Sequence, residues 1–365
     1  YIKGLQGSTI IVISFLYLIH KISPPTLLPE IVYWVAKNRR FGYPLCKPRI
    51  ACCGFIVYDR YIIYLKGEWP MYVYINGNFV SEAEARISVF DHGFLYGDGV
   101  FEGIRAYNGR IFCIDEHIDR LYESAESIMI KIPLSRKEMK DAIIETVRRN
   151  DLKDAYIRPV VSRGKGALGL DPRVCAEPTI VIIVDAETRH PEDMRAKPIS
   201  RQGIKVITTA WRRNGPDILS PRIKSTNYLN NILAKLQANA VGAQDAIFLN
   251  EQGYVCELTG DNLFIIKNAR LITPPLWLGV LDGITRREVL RVAADQGFET
   301  AEEPLTQHDL YTSDECFCTA TRIEVLPIVW IDGRQIGEGM PGPITVKLME
   351  AYIELAKREG TPICA

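Results

Sequence analysis

Apolar and polar positions change their spacing several times along this chain, and each change marks an element. Tyr72-Val73-Tyr74-Ile75, then Asn76-Gly77, then Phe79-Val80 predicts a β-hairpin, because Asn-Gly suits the left-handed backbone of a tight hairpin turn. Glu116 to Ile130 and Arg136 to Arg149 repeat their apolar residues at helical spacing. Ala155 to Val161 and Thr179 to Val184 read as strands, which completes a small α+β domain over residues 71–185. Residues 186–200 are polar, carry Pro191 and Pro198, and predict a linker. Beyond it, strands over Ile204 to Thr208, Ala246 to Leu249 and Leu263 to Ile266 precede or alternate with helices over Asn227 to Ala240, Thr285 to Gln296 and Pro343 to Lys357. That pattern predicts a larger α/β-type domain over residues 201–365.

Residues 1–70 follow a different pattern. Ile10 to Ile19 is strongly apolar but shorter than the ~20 residues a bilayer span needs. Lys3 precedes it as in a signal peptide, yet His20, Lys21 and a Pro-rich loop follow where a cleavage site would stand. Lys66-Gly67-Glu68, encoded by purine-dominated codons, sits just before Met71 as a ribosome-binding sequence would. The expectation is therefore that residues 1–70 are upstream translation and that the native chain starts at Met71. The competing reading is a membrane-associated extension.

Composition narrows the class. Lys+Arg and Asp+Glu are equal at 44 each, so no bulk field draws the chain to nucleic acid or an anionic membrane. Small-molecule chemistry fits that balance. Nine cysteines show no paired metal-site spacing and only five histidines accompany them, so no metal is expected. Cys316 and Cys318 share one face if their stretch is a strand, as buried small hydrophobes would. Unpaired thiols point to a reducing compartment, the cytoplasm.

The chemistry concentrates around Lys224 in Arg222-Ile223-Lys224-Ser225-Thr226-Asn227-Tyr228-Leu229. A lone lysine is ordinarily a solvated side chain, so its neighbours decide. A lysine that holds a pyridine cofactor as a Schiff base needs a hydroxyl near the ring oxygen and an acid at the ring nitrogen. Tyr228, four residues on, is a candidate for the first, and Glu257 in Glu257-Leu258-Thr259-Gly260-Asp261-Asn262-Leu263-Phe264 is a candidate for the second. Leu281-Asp282-Gly283-Ile284-Thr285-Arg286 places a glycine ahead of a helix, whose free first-turn amides suit a phosphate. Alone, that motif is an ordinary turn and cap.

Taken together and in this order, the Lys224–Tyr228, Glu257–Phe264 and Leu281–Arg286 motifs resemble the class IV (fold type IV) pyridoxal-phosphate aminotransferases, and among them the branched-chain amino acid aminotransferases. The resemblance covers Met71 to the C-terminus. It implies pyridoxal 5'-phosphate on Lys224, which also moves a proton, with Tyr228 at the ring oxygen and Glu257 at the ring nitrogen. It assigns the phosphate to Arg120, the backbone of Ile284 and Thr285, and Thr321. An arginine on a helix is usually surface charge, but its fork suits a phosphate. Phe94 to Arg105 resembles the family's N-terminal signature, with Tyr96 and Phe101 walling the side-chain pocket. Tyr156 and Arg158 fall on one face of a strand; there Arg158 with Tyr96 would meet the distal carboxylate of glutamate. The substrates implied are amino acids and 2-oxo acids, and the family's site near a subunit interface implies at least a homodimer.

One segment departs from the family. Where branched-chain enzymes carry Gly-Thr-Ala-Ala-Glu, this chain has Ala320-Thr321-Arg322-Ile323-Glu324. Arg322 either narrows the pocket or adds a cationic contact for an acidic substrate. Three further readings remain: a class IV transaminase for D-amino acids or amines, an aminodeoxychorismate lyase, and a membrane-tethered binding protein without catalysis.

Overall fold

Two antiparallel-rich sheets and the helices against them build the part of the chain that carries the motifs. The computed structural model of the protein describes residues 71–186 and 202–364, and the backbone of three short strands before them. Those three, Arg49–Ala51, Phe55–Tyr58 and Tyr61–Tyr64, pair antiparallel in chain order. Ile10 to Ile19 and most of the linker lie outside the described residues. Residues Met71–Ala365 form one compact unit and are treated by themselves.

The predicted hairpin is present as Tyr72–Ile75 and Asn78–Ser81. Asn76 and Gly77 both have positive φ, 46° and 89°, as a primed hairpin turn requires. This hairpin edges a sheet that continues through Thr179–Ala186, Ala155–Ser162, Ile104–Tyr107, Arg110–Ile111 and Thr361–Pro362. Gly99–Phe101 also pairs with Ala155–Ser162. Helices Ile114–Ser127 and Arg136–Arg149 cover one face, and Ile118, Leu121, Ile143 and Val147 pack with Ile104, Ile157 and Ile182. The second helix starts on a capping box between Ser135 and Glu138. C-terminal Thr361–Pro362 joins this sheet, so the small fold is not contiguous in sequence.

The second sheet runs Val255–Leu258, Asp245–Leu249, Ile204–Arg212, Glu324–Ile331, Glu315–Ala320, Asn262–Lys267, Arg270–Thr273 and Thr300–Glu302. Glu257 pairs back onto Asn262, so the first six strands close into a ring. Alternation along the strands then divides the core. Leu263, Ile265, Cys316 and Cys318 belong to one apolar cluster with Val206 and Ile247. Phe264, Ile266 and Phe317 belong to another with Val289 and Leu348, from helices Ile284–Asp295 and Pro343–Arg358. Phe264 and Phe317 stack at 4.9 Å with their planes 8° apart. Cys316 and Cys318 are thus buried small hydrophobes on one face, as expected.

The differences from the sequence reading have local causes. The helix expected from Asn227 begins at Leu229, because the residues before it are engaged elsewhere. The Phe101 amide donates to Lys224 O at 3.0 Å and the Thr226 amide to Gly99 O at 2.8 Å. The chain between Ile223 and Asn227 is held in this way against the edge of Gly99–Phe101. The strand expected to stop at Thr208 continues to Arg212, whose register partner is Leu249.

Candidate active site

Lys224 is placed by backbone pairing on one side and by Ser124 on the other, whose hydroxyl accepts from the Lys224 amide at 3.1 Å. Its side chain enters a cavity of about 270 Å³. Ten of the twelve residues singled out in the sequence line that cavity: Phe101, Arg120, Tyr156, Arg158, Lys224, Tyr228, Ile284, Thr285, Thr321 and Arg322. They come from helices, strands and turns far apart in the chain, so their convergence is a property of the fold.

Phe101 is the hub of the wall. Its ring lies 4.8 Å from the Lys224 ammonium, 4.5 Å from the Arg158 guanidinium carbon and 5.2 Å from the Tyr228 ring. Cations over an aromatic face are held electrostatically. Tyr228 sits at the N-cap of Leu229–Ala240, which fixes its backbone. Arg158 donates to the Tyr156 hydroxyl at 2.7 Å. The phenol occupies space left by Gly103, where a Cβ would stand 2.4 Å from that oxygen.

Glu257 is buried behind the lining residues. One carboxylate oxygen accepts from Arg213 at 2.5 Å; the other accepts from Asn262 Nδ2 and the Leu281 amide, both at 3.0 Å. Burial pushes its carboxyl up, against the pull of Arg213 and the Leu281 amide.

The phosphate-side residues form a second knot. Helix Ile284–Asp295 opens after Gly283, where a Cβ would stand 1.9 Å from Asn262 Oδ1. Arg120, on Ile114–Ser127, donates to the Asp282 carbonyl at 2.6 Å and to Glu102 at 2.6 and 2.9 Å. Glu102 is fully buried and also meets His117 Nδ1 at 2.8 Å. Burial alone would raise that carboxyl, but Arg120 and His117 outweigh it and hold it well below the usual range. The guanidinium is therefore fixed in place beside the free first-turn amides of the helix.

Thr321, Arg322 and Ile323 form the turn between Glu315–Ala320 and Glu324–Ile331. Ile323 is buried in the core and Arg322 faces the cavity, 5.7 Å from the Tyr156 ring centroid. The turn is anchored by Glu324, which meets buried Arg105 at 2.7 Å.

Tyr96 is not brought to this cavity. It ends helix His92–Tyr96, which Gly97 closes at φ 71°. Its hydroxyl accepts from the Gly169 amide at 3.0 Å. The residues the sequence did not disclose are Glu102, His117, Arg213 and Asn262. His117 and Arg120, three apart on a predicted helix, share a face and signal a common partner. Nothing in the sequence pairs Arg213 with Glu257.

The donor set fits pyridoxal phosphate. It offers an amine with no carboxylate partner among the described residues, a buried acid, a tyrosine, and a guanidinium beside a helix N-terminus without a Cβ.

Comparison with known proteins gives the same grouping. The family model described as amino-transferase class IV matches residues 99–331. A Methanocaldococcus jannaschii protein provisionally named a branched-chain-amino-acid aminotransferase is 51% identical over 294 residues, covering 80% of this chain and 99% of the relative. The branched-chain-amino-acid aminotransferase of Pseudomonas aeruginosa is 40% identical over 78% of this chain and 92% of its own length. Among solved structures, the branched-chain amino acid aminotransferase of Thermobaculum terrenum in its PLP form superposes with a TM-score of 0.72 at 30% identity, covering 81% of this chain and 99% of that one.

Proposed function

The chain belongs to the class IV aminotransferases, and from that premise we propose that it moves the amino group of leucine, isoleucine or valine to 2-oxoglutarate, releasing branched 2-oxo acids and L-glutamate. It has the two-domain fold type IV architecture, and its cofactor is pyridoxal 5'-phosphate. When bound, the cofactor supplies an aldehyde for the amine and a ring that disperses the charge left when Cα loses its proton.

The observation that carries the reading is the meeting of Lys224, Tyr228, Arg120 and the Ile284–Thr285 helix start around one cavity that Tyr156 and Arg158 also line. In this reading the Lys224 amine holds the cofactor and then carries the proton from the substrate Cα. Tyr228 donates to the ring oxygen. Glu257 keeps a proton at the ring nitrogen, and Arg213 keeps Glu257 aligned. Arg120, the Ile284 and Thr285 amides and Thr321 hold the phosphate. Phe101 and the Tyr156 ring receive an aliphatic side chain, while Arg158 receives a distal carboxylate. One pocket thus takes both substrates in turn.

The small domain, residues 71–185, supplies the substrate wall in this reading, residues 186–200 link it, and residues 201–365 hold the cofactor. Exposed Leu229, Ile232 and Leu236, on one face of helix Leu229–Ala240, support a homodimer, since an apolar face of this kind is ordinarily covered. No helix among the described residues is long and apolar enough to cross a membrane. Free thiols at Cys113, Cys175, Cys256, Cys316, Cys318 and Cys364 support a cytoplasmic site.

The test is a panel of amino donors with 2-oxoglutarate and the full chain. Glutamate formation is expected with L-leucine, L-isoleucine and L-valine. Turnover confined to D-alanine, to amines or to aminodeoxychorismate would overturn the proposal.

A further inference from the structure

The charges lining the cavity do not balance. Arg120 is matched by Glu102, and Arg213, beneath the cavity, by Glu257. Among the described residues Arg158 hydrogen-bonds only the neutral Tyr156 hydroxyl, and its buried Nε has no hydrogen-bond partner. Arg322 has no hydrogen-bond or carboxylate partner among the described residues. The nearest acid in its turn, Glu324, is taken by Arg105. The acid on the cavity lining, Asp261, has its carboxyl pushed up by desolvation and by neighbouring Asp245, and it forms no ion pair with Arg158 or Arg322 among the described residues.

Both unmatched guanidiniums lean on the same ring. Their central carbons lie 5.4 Å (Arg158) and 5.7 Å (Arg322) from the Tyr156 centroid. Neither has a long way to move, because Arg158 is held between Phe101 and Tyr156 and Arg322 sits in a three-residue turn pinned by Ile323 and Glu324. Two like charges in a half-buried cavity repel each other. A carboxylate entering the cavity beside the Tyr156 ring would offset that charge and offer an acceptor for charge-assisted hydrogen bonds.

We propose that Arg322 is a specificity-determining residue that joins Arg158 around the distal carboxylate of a dicarboxylic substrate, favouring five-carbon acidic amino and 2-oxo acids over aliphatic ones. The inference rests on the transaminase reading of the cavity and refines it. A branched aliphatic side chain in the same place leaves both cations without an anion. The site is therefore tuned to the acidic partner of the exchange, and the aliphatic partner binds against an electrostatic penalty.

The test uses two unreactive acids and equilibrium binding by calorimetry to the full-length holoenzyme. Glutarate carries the distal carboxylate and 4-methylvaleric acid replaces it with a branched aliphatic end. Arg322→Ala is expected to raise the ratio of the glutarate Kd to the 4-methylvaleric acid Kd by roughly ten- to a hundredfold, the effect of one charge-assisted hydrogen bond. Arg322→Lys, which keeps the charge, is expected to restore most of that ratio. An unchanged ratio in Arg322→Ala, whether from equal losses or from none, would overturn the proposal and place Arg322 at the common carboxylate or outside binding. Because neither acid is turned over, this outcome is independent of the donor panel. A failed panel with an intact glutarate effect would remove the transaminase assignment and leave Arg322 as a carboxylate-binding residue.

Discussion

Arg213 meets Glu257 at 2.5 Å behind the cavity, and the second oxygen of the same carboxylate is shared by Asn262 and the Leu281 amide. Three donors engage both oxygens of this buried acid, so it is held in one orientation. Burial pushes the carboxyl up and Arg213 opposes the shift. In the proposed reading, the pair sets how firmly a proton is kept at the ring nitrogen.

Glu257→Gln removes that charge and leaves Arg213 buried without a counterion. A loss of kcat on the order of 10²–10⁴-fold is expected, typical of a positioned acid or base. Stability falls as well, by about 3–5 kcal/mol if Arg213 stays charged and dry. Steady-state kinetics together with urea unfolding separate the two effects. A variant with wild-type kcat would remove Glu257 from the chemistry.

Glu102 offers a pH prediction. Burial works to raise its carboxyl, but Arg120 and His117 hold it below the usual range. A carboxyl lowered in the folded state stabilises the fold fully above its unfolded value of ~4.3 and loses that contribution as pH falls below it. The stability gap between wild type and Glu102→Gln is thus expected to be widest above about pH 5 and to narrow towards about pH 3. Urea midpoints across that range check it, and a gap that widens in acid would contradict the assignment.

Gly103→Ala tests the substrate wall. Its Cβ would stand 2.4 Å from the Tyr156 hydroxyl, which accepts from Arg158. Displacing the phenol is expected to raise KM for the amino donor by roughly tenfold, about one hydrogen bond, with cofactor affinity little changed. Parallel titrations of cofactor and donor distinguish this from general unfolding.

Gly283→Ala acts on the other side. A Cβ there collides with Asn262 Oδ1, at 1.9 Å, and so disturbs both the helix start and Glu257. Overpacking of this kind costs about 1–3 kcal/mol. Cofactor retention on gel filtration is expected to fall, whereas donor specificity in the retained fraction stays that of the wild type.

Much of this was readable from the chain because local rules carried it. The Asn76-Gly77 hairpin, the Ser135-capped helix and the alternating strands need only neighbours in sequence. Lys224 and Tyr228 could be marked together because they share one short stretch, and both line the cavity. Glu102 under Arg120, and Arg213 on Glu257, were hidden because their pairing is made by sheet closure and strand order, which spacing does not encode. Tyr96, which its motif also marked, lies outside the lining of this cavity, with its hydroxyl on the Gly169 amide. Arg322 was visible as a departure, but only the turn geometry separates its cavity-facing side chain from buried Ile323.

The account stands on Lys224 as the residue that carries the cofactor. The most direct measurement is borohydride reduction of the holoenzyme followed by peptide mass spectrometry. A phosphopyridoxyl group on the peptide containing Lys224, absent from Lys224→Ala, is the predicted result. Its appearance on another lysine, or its persistence in Lys224→Ala, would contradict the assignment of this cavity as the catalytic centre.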